Sequence, residues 1–188
     1  MAIISILEIV YILIVILAVG YIFTGFFKFN LKRDVLEDYT KGFDWGEFWF
    51  VCLAASPGII LHELAHKFTA MGFGLSAFFN ISYFGLLLGV LLKLFSTGFI
   101  ILAPGYVLIS GAGDFERMIT AAAGPLVNMI LWISAILFIK YKKHMTRKEA
   151  IFWTLTNHIN KWLFIFNILP IPPLDGAKIW FTLFQLVF

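Results

Sequence analysis

The chain has little charge. Of 188 residues, 14 are Lys or Arg and 11 are Asp or Glu, 13% in all, where a soluble domain carries about 25%. It has one cysteine, Cys52, which excludes an internal disulfide and a cysteine-rich metal site; in its apolar run it reads as a small buried hydrophobe. The net charge is only +3. The basic residues form no patch interleaved with aromatics, so nothing supports nucleic-acid binding. Histidines number four, so an imidazole metal site has few residues to draw on.

What is abundant is apolar surface. Hydrophobic residues make up 61% of the chain, 22 of them Phe, and the mean hydropathy is +0.94. So small a protein cannot bury this excess in a core, which makes lipid the expected solvent for much of its surface. The length suits one domain, 1–188. Ile3 to Phe27 is too long for a signal-peptide core and lacks a basic leader and a small-residue cleavage site, so it reads as a retained transmembrane helix; Glu8 near its start reads as structural. Lys28 to Asp44 reads as a water-exposed loop. A second helix is predicted from Trp45 to the glycines at 72 and 74, and a third long one from Phe115 to Tyr141, with Pro125 expected to kink it. Lys142 to Glu149 is a basic loop. A helix from Ala150 to Leu169 must break at Pro170-Ile171-Pro172-Pro173, and an apolar segment, Leu174 to Phe188, follows. Leu75 to Ser110 is read as a short or tilted helix carrying Lys93, followed by an extended or re-entrant stretch over Phe99 to Ser110 with a turn at Pro104-Gly105. The fold class expected is all-α and polytopic, with five to six transmembrane or re-entrant helices and a small β segment.

Within the second apolar run stands His62-Glu63-Leu64-Ala65-His66. Ionisable side chains at membrane depth are expensive, and a metal ion would give three of them within five residues a purpose. On a helix His62 and His66 share a face and can meet one Zn²⁺, about 2.0–2.1 Å from each nitrogen. Glu63, at the side of that face, can reach a metal-bound water and take its proton. A catalytic zinc site needs a third protein ligand. His144 lies in the basic loop and His158 in a polar Thr-Asn-His-Ile-Asn patch, and neither is favoured. Asp175, just past the proline break, is the better candidate. Position alone leaves it open between helix cap and ligand; the need for a third donor favours the ligand. Asn128 and Asn167 also stand in apolar surroundings. They either bond between helices or hold a substrate backbone or developing oxyanion.

Three stretches in this order, HELAH at 62–66, AAGPLVN at 122–128 and FNILPIPPLDG at 166–176, resemble the site-2 protease family of intramembrane zinc metalloproteases. The resemblance runs from about Phe48 to Phe188. It implies a minimal prokaryotic-type catalytic core over 45–188, with 1–27 as an accessory transmembrane helix, in a multi-pass protein of a prokaryotic cell membrane. It implies zinc held by His62, His66 and Asp175, Glu63 as general base, and Asn128 and Asn167 facing the active-site cavity. The implied activity is that of a zinc metalloendopeptidase cutting within or beside transmembrane segments of membrane-protein substrates. It also places the metal near the cytoplasmic side and so the Lys142–Lys148 loop on the other, against the positive-inside tendency.

Two other readings compete. One is another HExxH membrane zinc peptidase, with a glutamate as third ligand and soluble or misfolded clients; after His66 it has only Glu116 and Glu149 to use. The other is a non-catalytic membrane protein that binds clients, in which Glu63 would be dispensable.

Overall fold

Residues 3–25, 42–95 and 104–187 are described by the structure, a computed structural model. They form six helices and two strands: α1 (Ile6–Phe23), α2 (Trp45–Gly72), β1 (Ser76–Ile81), α3 (Tyr83–Leu94), β2 (Gly105–Ser110), α4 (Asp114–Tyr141), α5 (Arg147–Ile168) and α6 (Asp175–Val187). The expected loop at 28–44 and the start of the expected extended stretch at 99 lie largely outside the described residues.

Length and composition sort the helices. At 1.5 Å per residue, α1 is about 27 Å long and α2 and α4 about 42 Å, against a hydrocarbon layer of about 30 Å. These three are apolar enough to cross a membrane, and the fold is that of an all-α membrane protein. α3, with 12 residues, is too short to cross alone. α5 has the length, with 22 residues, but it carries Arg147, Lys148, Glu149 and Lys161 and a polar stretch from Thr154 to Asn160. Ile6, Leu13 and Leu17 of α1 and Ile130, Ile133 and Leu137 of α4 stand exposed, as a lipid-facing surface requires. Pro125 lies inside α4 without ending it. The inner core joins α1, α2 and β1 through Val15, Val19, Val51, Ala55, Ile59, Phe79 and Ile81. Cys52 is a buried free thiol against the Ile16 carbonyl.

The two strands flank α3 and pair antiparallel, Phe78 opposite Leu108 and Phe79 opposite Val107. β2 falls in the expected extended stretch. β1 lies earlier, just after the glycines that end α2. Ser82 N–H donates to Pro104 O at 3.0 Å, so the pair just past the strand ends is hydrogen-bonded, and alternation along an antiparallel ladder then turns the amides of Phe79 and Ile81 away from β2. Those outward amides are already taken: Phe79 N–H donates to Glu8 Oε1 at 2.8 Å and Ile81 N–H to Asn80 Oδ1 at 2.8 Å. On β2, the same alternation turns Val107 and Ile109 outward, and their N–H groups have no partner among the described residues. Among the described residues, β1 thus has its outward amides at Phe79 and Ile81 engaged and keeps only that of Ala77, whereas β2 offers those of Val107 and Ile109.

Glu8 does more than end a sheet edge. It is 2% exposed, and so is Lys67, whose ammonium donates to Glu8 Oε1. Oε2 accepts from the backbone N–H and hydroxyl of Ser5 at 2.8 and 3.0 Å. One carboxylate thus ties α1 to α2 and β1, and every lone-pair direction it uses meets a donor. At the opposite end, the turn between α4 and α5 is closed by Lys142 Nζ on Glu149 Oε1 at 2.6 Å. That bond, with those from the Thr146 backbone and hydroxyl, holds the Glu149 carboxyl down at about 2.

Removing one partner of a buried pair leaves the other charge uncompensated. Glu8→Ala should lower stability by about 3–5 kcal/mol, read as thermal unfolding in detergent. Glu8→Ala combined with Lys67→Met should recover part of the loss, since the Phe79 and Ser5 N–H groups still lack their acceptor. A double variant no more stable than the single one would show that the loss comes from those bonds and not from an uncompensated Lys67.

Candidate metal centre

Three helices bring the site together near the far end of α2. His62 and His66 are one turn apart on that helix, both buried. Asp175 opens α6 and is also buried. The proline run ends α5 and turns the chain back. Gly176 lets the new helix start against the old one, because a Cβ there would strike the carbonyls of Ile168 and Leu169.

His62 Nε2 stands 3.1 Å from Asp175 Oδ2, His66 Nε2 stands 3.0 Å from the same oxygen, and the two Nε2 atoms are 3.1 Å apart. The other nitrogen of each ring explains this triangle. His66 Nδ1 faces the backbone carbonyl of Thr120 at 2.7 Å, which can only accept, so Nδ1 carries the proton and Nε2 is bare. His62 Nδ1 faces Asn128 Oδ1 at 2.6 Å. The orientation of that amide is set by its nitrogen, which donates to Gly58 O at 3.0 Å and Asn160 Oδ1 at 2.9 Å. His62 Nε2 is therefore bare as well. Two imidazole lone pairs and a carboxylate oxygen point at one another, buried, with no proton assigned between them. A shared proton would answer one edge of the triangle; a cation answers all three.

The donor set fits zinc. These are the one group of three or more His, Cys, Asp or Glu side chains, among the described residues, with donor atoms close enough to share an ion. Donors of a tetrahedral zinc shell with bonds near 2.05 Å stand about 3.3 Å apart, close to the 3.0–3.1 Å edges seen. Two imidazoles and a carboxylate also leave a fourth position open, as in catalytic rather than structural zinc sites.

Around this group, Glu63 is half-buried and makes no hydrogen bond among the described residues. It lies within electrostatic reach of His62, Asp175 and Lys178. Lys178 donates to Asp175 Oδ1, the oxygen turned away from the imidazoles, at 3.3 Å. Asn128, expected to face a cavity, is 0% exposed and its bonds all run to His62, Gly58 and Asn160. Asn167 is half-buried on α5 and donates to Leu163 O at 3.0 Å. His158 is exposed, with Nδ1 on Thr154 O, and His144 is exposed in the basic turn. Glu116 and Glu149 cap the N-termini of α4 and α5. None of these last four joins the triangle.

Three contributors escape a reading of side chains. The Thr120 carbonyl is backbone and leaves no mark in the sequence. Asn160 lies in the polar patch that drew attention to His158. Gly124 belongs to a run of small residues that signals close helix packing, and here the object packed against it is the His pair. A Cβ at Gly124 would stand 2.7 Å from His62 Cε1 and closer still to His66 Nε2. Gly124→Ala should therefore displace both rings. We expect bound zinc to fall at least tenfold relative to wild type, measured by elemental analysis of the purified protein, while Ala123→Gly, one position away, leaves it unchanged.

No family model matches the chain. It is similar to a protein of Methanocaldococcus jannaschii named "Putative zinc metalloprotease", with 38% identity over 133 residues, 68% of this chain and 66% of that one. The chain thus spans just under two thirds of the length of that relative. The name of the relative and the donor triangle of this chain point to the same metal.

Proposed function

We propose that the protein is a zinc-dependent endopeptidase of the site-2 protease type. On this reading it is a multi-pass protein of a prokaryotic cell membrane, and it hydrolyses peptide bonds within or next to transmembrane segments of membrane-protein substrates. The observation that carries the proposal is the buried triangle of His62 Nε2, His66 Nε2 and Asp175 Oδ2 beside the carboxylate of Glu63. The similarity to a protein named as a zinc metalloprotease supports the same reaction class, and the apolar span that carries the His pair supports a membrane setting.

Zinc, when bound, supplies a Lewis acid that polarises the scissile carbonyl and acidifies water toward a pKa of about 7. The residues of the chain supply the rest. Asn128 and the Thr120 carbonyl fix the ring tautomers. Asp175 adds negative charge to the donor set, with Lys178 on its other oxygen. Glu63 accepts the proton of the attacking water as oxygen bonds to the carbonyl carbon. It returns that proton to the amide nitrogen as the carbon–nitrogen bond breaks, so acid, amine and carboxylate balance. Asn167 has amide valences to spare and remains the candidate contact for the substrate backbone or its oxyanion. Residues 45–188 carry the whole apparatus, and α1 braces it through Glu8.

A helical substrate hides its carbonyls and must unwind before attack. An unwound strand needs backbone partners, and the outward N–H groups of Val107 and Ile109 on β2 are placed to donate them. The reading in which a non-catalytic protein merely binds clients gives Glu63 no task, and the reading with a glutamate ligand finds both later glutamates used as helix caps.

Cleavage of single-span substrates in liposomes, with zinc measured alongside, tests the proposal. Glu63→Gln should keep zinc and lose turnover by about 10²–10⁴-fold, whereas Asp175→Asn should lose both. Turnover surviving in Glu63→Gln would exclude this mechanism. Val107→Pro removes an outward donor without touching the ladder and should slow cleavage with zinc retained; unchanged cleavage would take the β2 edge out of the mechanism.

A further inference from the structure

We infer that Asn160, on α5, is a positioning residue for the metal centre: it fixes the tautomer of His62 from two hydrogen bonds away, through Asn128. The inference rests on the metal reading above and extends it to a residue that touches neither metal nor substrate.

The chain of polarity is explicit. Thr156 O on α5 can only accept, and Asn160 Nδ2 donates to it at 2.8 Å. That bond orients the amide of Asn160 so that Oδ1 faces α4, where it accepts from Asn128 Nδ2 at 2.9 Å. Asn128 is then obliged to present Oδ1 to His62, which it does at 2.6 Å. His62 must put its proton on Nδ1 and leave Nε2 free for a cation. A backbone carbonyl on α5 thus sets the protonation pattern of a ring on α2 across two side chains. Reversing Asn128 would place an N–H against Nδ1, move the proton to Nε2 and aim it into the donor triangle; reversing Asn160 would set its N–H against that of Asn128 and leave Gly58 O alone to hold the order.

Burial makes the order strict. Asn128 is 0% and Asn160 1% exposed, so no bulk water can replace a missing partner, and an amide hydrogen left unpaired there is costly. Space is equally tight. Gly58 of α2 lies against the pair: its carbonyl accepts the second Asn128 hydrogen at 3.0 Å, and a Cβ at Gly58 would stand 2.7 Å from Asn160 Oδ1. Three helices meet at this knot. Its only outlet toward the metal is the His62 ring.

Outer partners of a metal-bound imidazole typically change affinity 10–100-fold when lost. Gly58 O still holds one Asn128 hydrogen, so the lower end applies here. The test uses the full chain in detergent. Zinc affinity is measured by chelator competition, and the His62 tautomer by ¹⁵N NMR of metal-free protein with labelled histidine. Asn160→Leu should weaken zinc by about tenfold and give a mixture of His62 tautomers. Asn160→Asp, whose acid form keeps the same order of donor and acceptor, should stay within about threefold of wild type with the Nδ1–H tautomer intact. Should Asn160→Leu not fold, Asn160→Ala is read the same way. In an Asn128→Leu background, changing Asn160 should have no further effect on zinc. Unchanged affinity and tautomer in Asn160→Leu would overturn the inference, as would equal losses in Asn160→Leu and Asn160→Asp, which would mark Asn160 as ordinary packing. Failure of the wild type to bind zinc would instead overturn the metal reading itself.

Discussion

Three electron pairs facing one another in a buried space are the constraint on which the rest of this structure depends. Two imidazole nitrogens and a carboxylate oxygen repel unless something positive lies between them, and the neighbours of both rings assign the available protons elsewhere. Much of the remaining architecture keeps that unfavourable arrangement in place. Asn128 and the Thr120 carbonyl hold the rings from behind. The bare face of Gly124 gives them room. The proline run carries Asp175 back from the end of α5 to meet them. An arrangement that costs energy without its ion and gains it with the ion is what a binding site requires.

The setting explains why so much of the chain is recruited. In water an imidazole with a missing partner finds one in the solvent. Around these buried rings each hydrogen bond has to be supplied by the protein, so the first layer of support needs a second. Thr120, Asn128, Asn160 and Gly58 come from α4, α5 and α2, and each contributes one directional group. The lipid-facing sides of the same helices are free to be plain Leu, Ile and Phe. Specific packing is concentrated on one narrow interior seam.

Parts of this were legible in the sequence for definite reasons. His62 and His66 could be paired because a helix repeats nearly every four residues, and long apolar runs fix helices regardless of detail. Asp175 could be singled out because three prolines leave the chain no way to continue α5. The sheet was half legible. β2 follows Pro104 as an unbroken run of strand-forming residues, Tyr, Val, Leu and Ile, whereas Ser76–Ile81 mixes Ser, Ala and Asn with two phenylalanines and has no such run to betray β1. The role of Asn128 was open between contacting a neighbour and contacting a substrate, since an amide in an apolar run suits either, and its bonds to His62, Gly58 and Asn160 join distant parts of the chain that no local pattern reveals. Thr120 was beyond reach, because what it contributes is a carbonyl that every residue has.

The carboxylate of Glu8 also fixes the relative height of two helices. Lys67, one residue past His66, meets its counter-ion on α1, and both charges are buried. A slide of α1 along α2 by one turn would strand the two charges. The stretch of α2 that carries the His pair is thereby locked in register with its neighbour.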